Sequence, residues 1–286
     1  MKFLSELKRE DIKANGVKIN TFYSKSDKKP LLLLHGFPQS AIMWRKVIPL
    51  IKDQFSIVCP DLRGYGYSEK PTTGYDKKTM ASDMFELMKS LGYSEFFVAG
   101  HDRGGRVAHR LTLDYSNAVK KLMVLDIVPT HTLFKNTDMH LAAGYWHWFF
   151  FQLRDFPELV LGENPEAFLK LMFHALSYNS DGIELDAFEE YLRIYKMPGT
   201  IRATLEDYRA AAEIDFFIDG KETKKIECET SVLWGTFGKM EEIFDVLKTW
   251  QEKSNNLVTG SAIKSGHFIP EENPIETAKQ IIEFFT

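Results

Sequence analysis

Apolar runs alternate with amphipathic segments along both ends of the chain. A run ending at Ala14, the turn pair Asn15-Gly16 and a run at 17–23 predict a β-hairpin. Further apolar runs, each predicting a buried strand, occupy 31–35, 55–60, 96–100, 120–126 and 230–235. Buried strands separated by helices are typical of a parallel sheet covered on both faces. The pattern predicts an α/β fold with a mostly parallel central sheet and a site at the carboxyl ends of its strands.

This alternation stops between about 129 and 214. The segment contains only helical, aromatic-rich stretches, broken by Pro157, Pro165, Gly182 and Pro198. Strand and helix patterns resume after it, with one helix expected at about 241–250 and a last helix from Pro274. Because the sheet needs both flanking halves, we predict a core domain of residues 1–128 and 215–286. Residues 129–214 then form an inserted helical cap, and the alternative is a separate helical domain.

Composition narrows the classes of function. The 286 residues are 44% hydrophobic and 27% charged, which is typical of a soluble globular protein. A net charge of −4 gives no reason to expect binding to nucleic acid or to an anionic membrane. No run approaches the roughly 18 apolar residues of a membrane span, and the first residues do not resemble a signal peptide. The two cysteines, Cys59 and Cys228, form neither a disulfide framework nor a metal motif, so we expect a cytoplasmic protein without a metal.

The stretch Val98-Ala99-Gly100-His101-Asp102-Arg103-Gly104-Gly105 carries the first chemical signal. It follows a predicted strand, precedes a predicted helix, and has the glycine frame of a nucleophile elbow with Asp102 at the nucleophile position. Glycines on both sides relieve crowding at such a turn. Asp102 could instead be only a helix N-cap, but a cap does not require three surrounding glycines. We therefore predict that Asp102 is a catalytic nucleophile.

Other elements of a hydrolase site follow in order. His35-Gly36-Phe37-Pro38 comes after a strand, where an oxyanion loop is expected, and its donors would be the backbone N–H groups of Phe37 and Arg103. His35 itself is interpreted as a structural residue that braces this loop.

A base and its orienting acid come from later strands. His267, in Ser265-Gly266-His267, follows the last strand and is the predicted base. Asp126 ends the 120–126 strand and is the predicted orienting acid. Glu241 and Glu242, which follow the penultimate strand, are the alternative acids. Asp126 could also have only a structural role, as a cap of the turn.

A carboxylate nucleophile points to a particular chemistry. If serine attacked a saturated carbon, the product would be an ether, which histidine and water could not cleave. Aspartate forms an ester instead, which water activated by histidine can hydrolyse at the aspartate carbonyl. Aspartate is also ionised at neutral pH, since its unperturbed pKa is about 3.9. Asp102 therefore predicts substitution at an sp³ carbon that bears a halide or an epoxide oxygen.

At these residues the sequence resembles the α/β-hydrolase fold superfamily, and within it the fluoroacetate dehalogenases, over essentially the whole chain. Haloalkane dehalogenases and epoxide hydrolases share the Asp-centred elbow but commonly have Trp after the nucleophile. Here Arg103 occupies that position and Arg106 follows three residues later. Asp-Arg-x-x-Arg is similar to the fluoroacetate dehalogenase pattern, which implies that the two arginines bind the substrate carboxylate. Arginine suits this role by its bidentate geometry. Alternatively, Arg106 pairs with a cap carboxylate as a strut between domains.

The same resemblance implies a halide site in the cap. His147 and Trp148, in Tyr145-Trp146-His147-Trp148, and Tyr208 match the family's halide-binding His, Trp and Tyr. Their ring N–H and phenol O–H groups are three hydrogen-bond donors, which suit a small, strongly hydrated anion such as fluoride. Core packing is the alternative for these aromatic residues. The resemblance implies a small haloacid substrate and no cofactor, and capped hydrolases of this type often form homodimers.

Two other functions are alternatives to dehalogenation. An epoxide hydrolase would use Tyr208 with Tyr145, Tyr191 or Tyr195 to activate the epoxide oxygen, but a neutral epoxide would leave the buried guanidinium of Arg103 without a partner. A non-enzymatic receptor built on the hydrolase scaffold would not need the set Asp102, His267 and Asp126.

Overall fold

The computed structural model describes residues 3–179 and 182–286. Eight strands form one sheet in the order β1-β2-β4-β3-β5-β6-β7-β8. The strands are β1 (Lys8–Ala14), β2 (Val17–Tyr23), β3 (Pro30–Leu34), β4 (Ser56–Pro60), β5 (Phe96–His101), β6 (Val119–Leu125), β7 (Glu229–Gly235) and β8 (Val258–Ile263). β1 and β2 form the predicted hairpin, β2 is antiparallel to β4, and β3 to β8 are parallel. The predicted α/β architecture is confirmed.

Helices cover both faces of the sheet. In chain order they are α1 (Ile48–Ile51), α2 (Lys77–Ser90), α3 (Asp102–Asp114), α4 (Thr130–Lys135), α5 (Met139–Gly144), α6 (Trp146–Phe150), α7 (Phe156–Glu163), α8 (Pro165–Leu176), α9 (Leu185–Tyr195), α10 (Thr200–Ala210), α11 (Phe216–Lys221), α12 (Lys239–Ile243), α13 (Val246–Gln251), α14 (Ile269–Glu272) and α15 (Pro274–Phe285). A 3-10 helix (Ala41–Lys46) precedes α1, and a π-helical turn (Ala211–Asp215) joins α10 to α11.

Side chains from the two faces of the sheet pack into two different apolar clusters. Along β3, Leu32 and Leu34 pack into one cluster, whereas Leu31 and Leu33 pack into the other. This alternation follows from the pleat, which directs successive side chains to opposite faces. All four leucines are fully buried, so both faces of the central strands lie in the core. The continuous apolar runs in the sequence reflect this double burial.

The segment from α4 to α11 contains helices and no strand among its described residues. Its Trp148, Phe151 and Tyr208 belong to the same apolar cluster as strand residues Leu32 and Leu34. The helical insertion therefore packs directly on the sheet domain. No helix in the described part of the chain is both long and apolar enough to cross a bilayer.

The prediction of a single helix at about 241–250 is wrong. The structure has two short helices there, α12 and α13, with Phe244 and Asp245 between them. The Asp245 carboxylate accepts a hydrogen bond from the Lys248 N–H at 3.0 Å and so caps the start of α13. An N-cap residue has a non-helical backbone, and this ends the preceding helix.

Candidate active site

Asp102 stands at an abrupt strand-to-helix turn. β5 ends at His101, α3 begins at Asp102, and Asp102 has a φ of 44°. A positive φ is unusual for a residue with a side chain and marks a backbone held by its surroundings. Gly100 has to be glycine, because a Cβ there would lie 2.5 Å from the Gly104 carbonyl oxygen. The tight approach of helix to strand thus presents the Asp102 side chain beyond the end of the sheet.

The Asp102 carboxylate is buried and already held on one oxygen. The Phe37 N–H donates a hydrogen bond to Asp102 Oδ2 at 2.9 Å. Arg103 lies in the first turn of α3, where backbone N–H groups have no acceptor within the helix. Burial alone would raise the pKa of Asp102, but the nearby charges of His267, Arg103 and Arg106 lower it below its ordinary value. Asp102 is therefore an ionised carboxylate at neutral pH.

The loop that carries Phe37 is braced by a neutral histidine. His35 Nε2 accepts a hydrogen bond from the Leu62 N–H at 2.9 Å, and Nδ1 lies 3.0 Å from the Gly36 carbonyl oxygen. These partners assign the proton to Nδ1. Burial lowers the pKa of His35, which agrees with a neutral ring. Both ring nitrogens of His35 are therefore hydrogen-bonded to backbone groups, which places His35 to hold the loop.

His267 and Asp126 form a buried pair at the ends of β8 and β6. His267 Nδ1 lies 2.6 Å from Asp126 Oδ2, while the Gly235 N–H donates to Asp126 Oδ1 at 2.9 Å. Asp126 has a φ of 52°, which turns the chain sharply after the strand. Asp126 rather than Glu242 faces the histidine, since Glu242 is exposed and pairs with Lys239.

The surroundings of His267 favour its charged form. Burial alone would lower the pKa of His267, but the hydrogen bond and charge of Asp126 and the charge of Asp102 raise it above the ordinary 6.5. Nδ1 is engaged by Asp126, which fixes the ring and leaves Nε2 as the nitrogen that can exchange a proton. This is the arrangement of a histidine base with an orienting carboxylate.

Arg103 makes an ion pair that sequence reasoning missed. Its Nε lies 3.0 Å from Asp207 Oδ2 and its Nη2 lies 2.7 Å from Asp207 Oδ1, and both side chains are fully buried. The ion pair between core and cap, an alternative for Arg106, is thus formed by Arg103. Asp207 precedes Tyr208 in the sequence, but nothing local distinguishes it from a solvated acid. Its partner is 104 positions away.

Arg106 lies one helical turn further along α3. Its Nη1 donates to the Val128 carbonyl oxygen and to Thr130 Oγ1, each at 3.0 Å. Both acceptors are neutral. Burial, and then repulsion from Arg103, lower the pKa of Arg106 to about 10, so it keeps its charge at neutral pH.

The three aromatic residues expected to bind halide come together. The Tyr208 ring centroid lies 5.9 Å from that of His147 and 5.3 Å from that of Trp148. Burial lowers the pKa of His147 to about 3, so the ring is neutral and donates through one nitrogen. Burial also raises the pKa of Tyr208, which keeps its hydroxyl protonated. Within residues 3–179 and 182–286, these three side chains donate no hydrogen bond.

The two arginines lie against the same aromatic group. The Trp148 ring centroid is 4.9 Å from Arg103 Cζ and 4.5 Å from Arg106 Cζ, and Tyr208 is 4.4 Å from Arg103 Cζ. The cations, the unpartnered aromatic donors and Asp102 therefore occupy one region between the sheet and the cap. In the described part of the chain no three His, Cys, Asp or Glu side chains are grouped so that they could hold a metal ion.

A model of the alpha/beta hydrolase fold matches residues 29–274. The chain belongs to the α/β-hydrolase fold family. It is 39% identical to a fluoroacetate dehalogenase from Burkholderia sp, over 90% of this chain and 86% of that protein. It is 34% identical to a soluble epoxide hydrolase from Corynebacterium sp. (strain C12), over 98% of each chain. A crystal structure of an alpha/beta hydrolase from Nostoc sp PCC 7120 superposes with a TM-score of 0.96 at 42% identity, covering 99% of both chains.

Membership of this family explains the arrangement of the site residues. In an α/β hydrolase the elbow residue is the nucleophile, and the histidine and acid after later strands complete the set. In this member the elbow residue is Asp102, the Phe37 N–H donates to its carboxylate, and His267 pairs with Asp126. We expect hydrolase chemistry from this arrangement, and the carboxylate at the elbow restricts which bond can be broken.

Proposed function

We propose that this hydrolase cleaves the carbon–halogen bond of a short haloacid such as fluoroacetate and produces the hydroxy acid. The observation that carries the proposal is Asp102, an ionised carboxylate in the nucleophile position beside the buried cation Arg106 and the three cap side chains His147, Trp148 and Tyr208, which donate to no described residue. A guanidinium without a carboxylate partner favours an anionic substrate. The 39% identity to a fluoroacetate dehalogenase supports the same substrate class.

In the first step the free oxygen of Asp102 attacks the carbon that bears the halogen. The new C–O bond forms as the C–X bond breaks, and the halide leaves with the bonding electron pair. Asp102 Oδ2, held by the Phe37 N–H, becomes the carbonyl oxygen of an ester. His147, Trp148 and Tyr208 donate to the departing halide. Arg106 binds the substrate carboxylate and so aligns the carbon with the nucleophile.

In the second step His267 takes a proton from water, and the hydroxide attacks the Asp102 carbonyl carbon. Negative charge then develops on Oδ2, where the Phe37 N–H donates 2.9 Å away. The ester C–O bond breaks, and the departing alkoxide takes the proton from His267. Asp126 stabilises the imidazolium between these transfers. Hydroxy acid leaves, the new carboxylic acid of Asp102 releases its proton to solvent, and Asp102 is again an ionised carboxylate.

Release of fluoride and chloride from short haloacids tests this function. We expect native protein to release halide from haloacetates and to turn over haloacetamides of the same size poorly, because the amide leaves Arg106 without an anionic partner. An epoxide panel run beside these substrates is the comparison. Equal turnover of chloroacetate and chloroacetamide would remove the basis for the haloacid assignment.

Epoxide hydrolysis is the second candidate. The Tyr208 hydroxyl donates to no described residue, and the buried hydroxyl of Tyr195, whose ring packs on Phe37 as that of Tyr208 does, likewise has no hydrogen-bond partner among them. Tyr191, another candidate, donates instead to Glu271 at 2.6 Å. The pairing of Arg103 with Asp207 also removes the objection that a neutral epoxide would leave Arg103 unpaired. The objection still holds for Arg106, so the haloacid proposal is favoured.

Loss of a side chain that donates a hydrogen bond to the halide should lower the rate of fluoride release more than that of bromide release. Fluoride is the poorest leaving group of the halides and the strongest hydrogen-bond acceptor, whereas bromide leaves with little help. One donor lost at a developing charge costs about 2.7–4 kcal/mol in oxyanion-type sites, which is roughly 10²- to 10³-fold in rate. We therefore expect Tyr208→Phe and Trp148→Phe to lower fluoroacetate turnover by about that order and bromoacetate turnover much less. Halide-release rates on both substrates measure this.

Thermal melting of each variant is the control. If the aromatic residues only pack the cap, turnover of fluoroacetate and bromoacetate should fall in parallel and the melting temperature should fall with them. Equal losses on the two substrates would therefore assign Tyr208 and Trp148 to packing.

The charge of Asp102 should contribute to the raised pKa of His267. His267 acts as a base only when neutral, so ester hydrolysis slows as the pH falls through its pKa. The ester carries no charge on Asp102, which removes one of the influences that raise this pKa. We expect NMR titration of the His267 ring to give a lower pKa in Asp102→Asn than in native protein. A pKa unchanged by Asp102→Asn would contradict the electrostatic coupling of the two groups.

A further inference from the structure

Asp207 has no assigned role in the reaction, yet it is the most densely hydrogen-bonded carboxylate near the site. It projects from cap helix α10 and binds Arg103 through both carboxylate oxygens, at 2.7 and 3.0 Å. The Asp207 carbonyl oxygen accepts a third hydrogen bond from Arg103 Nη2, at 2.8 Å. A bidentate pair of this kind fixes the plane of a guanidinium as well as its position.

Core residues complete the environment of Asp207. The Tyr65 hydroxyl donates to Oδ2 at 2.7 Å, and the Lys77 ammonium pairs with Oδ1. Lys77 also lies 3.7 Å from Asp215 Oδ2. Two cations, Arg103 and Lys77, are thus matched by two carboxylates, Asp207 and Asp215. The charge of Arg103 is already balanced inside this cluster.

Few hydrogen-bond donors of Arg103 remain available for a ligand. Nε and Nη2 are engaged by Asp207, whereas Nη1 is buried without a hydrogen-bond partner among the described residues. Nε of Arg106 is likewise unpartnered, and Nη1 of Arg106 binds only neutral oxygens. The two arginines, although one turn apart on α3, therefore differ in their partners: Arg103 is hydrogen-bonded to a carboxylate and Arg106 to neutral oxygens.

We propose that Asp207 is a positioning residue that holds Arg103 with Nη1 left for the ligand, and that Arg106, whose hydrogen bonds go to neutral oxygens, supplies the positive charge that recognises an anionic substrate group. The inference rests on the proposed function for the class of substrate, a small carboxylate. It makes recognition asymmetric, with one arginine acting as an oriented donor and the other as the counter-charge. Tyr208, next to Asp207 on α10, lies on the Arg103 guanidinium, so one cap helix orients both groups.

Asp207→Asn tests the positioning role. The amide nitrogen cannot accept a hydrogen bond, so one of the two oxygens that hold Arg103 is lost. Because Arg103 binds the substrate before and during the reaction, we expect KM for fluoroacetate to rise about tenfold or more, with a smaller change in kcat. In an Arg103→Gln background the same substitution should change KM by less than about twofold. An additive effect in the double variant would overturn the proposal.

Tyr191→Phe is the matched control for cap docking. It removes two other hydrogen bonds between cap and core, one from the Tyr191 hydroxyl to Glu271 and one from Gln39 to that hydroxyl, without touching Arg103 or Arg106. We expect this variant to melt at a lower temperature but to keep the native KM. A rise in KM equal to that of Asp207→Asn would mean that cap docking alone explains the effect, and positioning would be rejected.

Binding of acetate separates this inference from the dehalogenase proposal, because acetate has no leaving group. We expect calorimetry to show that Arg106→Gln weakens acetate binding more than Arg103→Gln does, and that Asp207→Asn weakens it about tenfold. If native protein released no halide but acetate binding followed this order, dehalogenation would be wrong and the positioning role would stand. The reverse order, or binding indifferent to Asp207, would overturn the inference even if halide were released.

Tyr65→Phe serves if Asp207→Asn does not fold. It leaves the Asp207 carboxylate on Arg103 and removes only the hydrogen bond from the Tyr65 hydroxyl. We expect a rise of about threefold in the dissociation constant for acetate and in KM for fluoroacetate, in a folded protein. Native values of both constants would count against Asp207 as the residue that orients Arg103.

Discussion

Asp102→Ala is expected to lower halide release by on the order of 10⁴- to 10⁶-fold, because the substitution removes the atom that forms the covalent bond. The fold should survive, since among the described residues the side chain makes a single hydrogen bond, from the Phe37 N–H. A positive φ of 44° is less favourable for alanine than for aspartate, which adds a penalty of about 1–2 kcal/mol. Halide release and circular dichroism measure the two effects separately.

Asp102→Asn is the companion variant. It keeps the size of the side chain but removes its charge, so it should also be inactive when freshly prepared. Slow deamidation would restore aspartate, and mass spectrometry of the peptide that contains residue 102 detects this. More than a trace of turnover in Asp102→Ala would mean that another group attacks the substrate, and the scheme with an ester on Asp102 would have to be abandoned.

The parts of the structure that sequence predicted best are those fixed by local chemistry. Asn15-Gly16 specifies a tight hairpin, and the hairpin from β1 to β2 is present, with Ala14 paired to Val17 on either side of this turn. The glycines around Asp102 are required by a close approach of helix and strand, and the turn forms where they predict it. Asp126 and His267 follow the ends of parallel strands, so sheet geometry alone brings them to the same edge.

The parts that sequence missed depend on long-range packing. Arg103 and Asp207 meet because the cap docks on the core, and no pattern in either segment specifies the other as its partner. The resemblance to fluoroacetate dehalogenases implies the same carboxylate-binding role for Arg103 and Arg106. In the structure, however, Arg103 pairs with a carboxylate and Arg106 with neutral oxygens. The break between α12 and α13 was missed for a local reason, since the capping role of Asp245 was not recognised in an otherwise helical stretch.

His267→Asn should separate the two chemical steps. Asp102 needs no base to attack the substrate, because a carboxyl is ionised at neutral pH, and the charges of Arg103 and Arg106 still lower its pKa when that of His267 is removed. Displacement of halide should therefore continue in this variant. Ester hydrolysis needs a group that removes a proton from water, and asparagine cannot do so. We expect one equivalent of halide per active site in a burst, followed by turnover lowered about 10⁴-fold or more.

The stalled ester gives this prediction a direct readout. Mass spectrometry should show the adduct on the peptide that contains Asp102, with the mass of the substrate minus its halide. In native protein, a single turnover in heavy-oxygen water should place the label in Asp102 and not in the product, because water attacks the side-chain carbonyl. Direct attack of water on the substrate would place the label in the hydroxy acid instead. A His267→Asn protein that turned over at the native rate would show that a different residue activates water, and the pairing with Asp126 at 2.6 Å would then be structural.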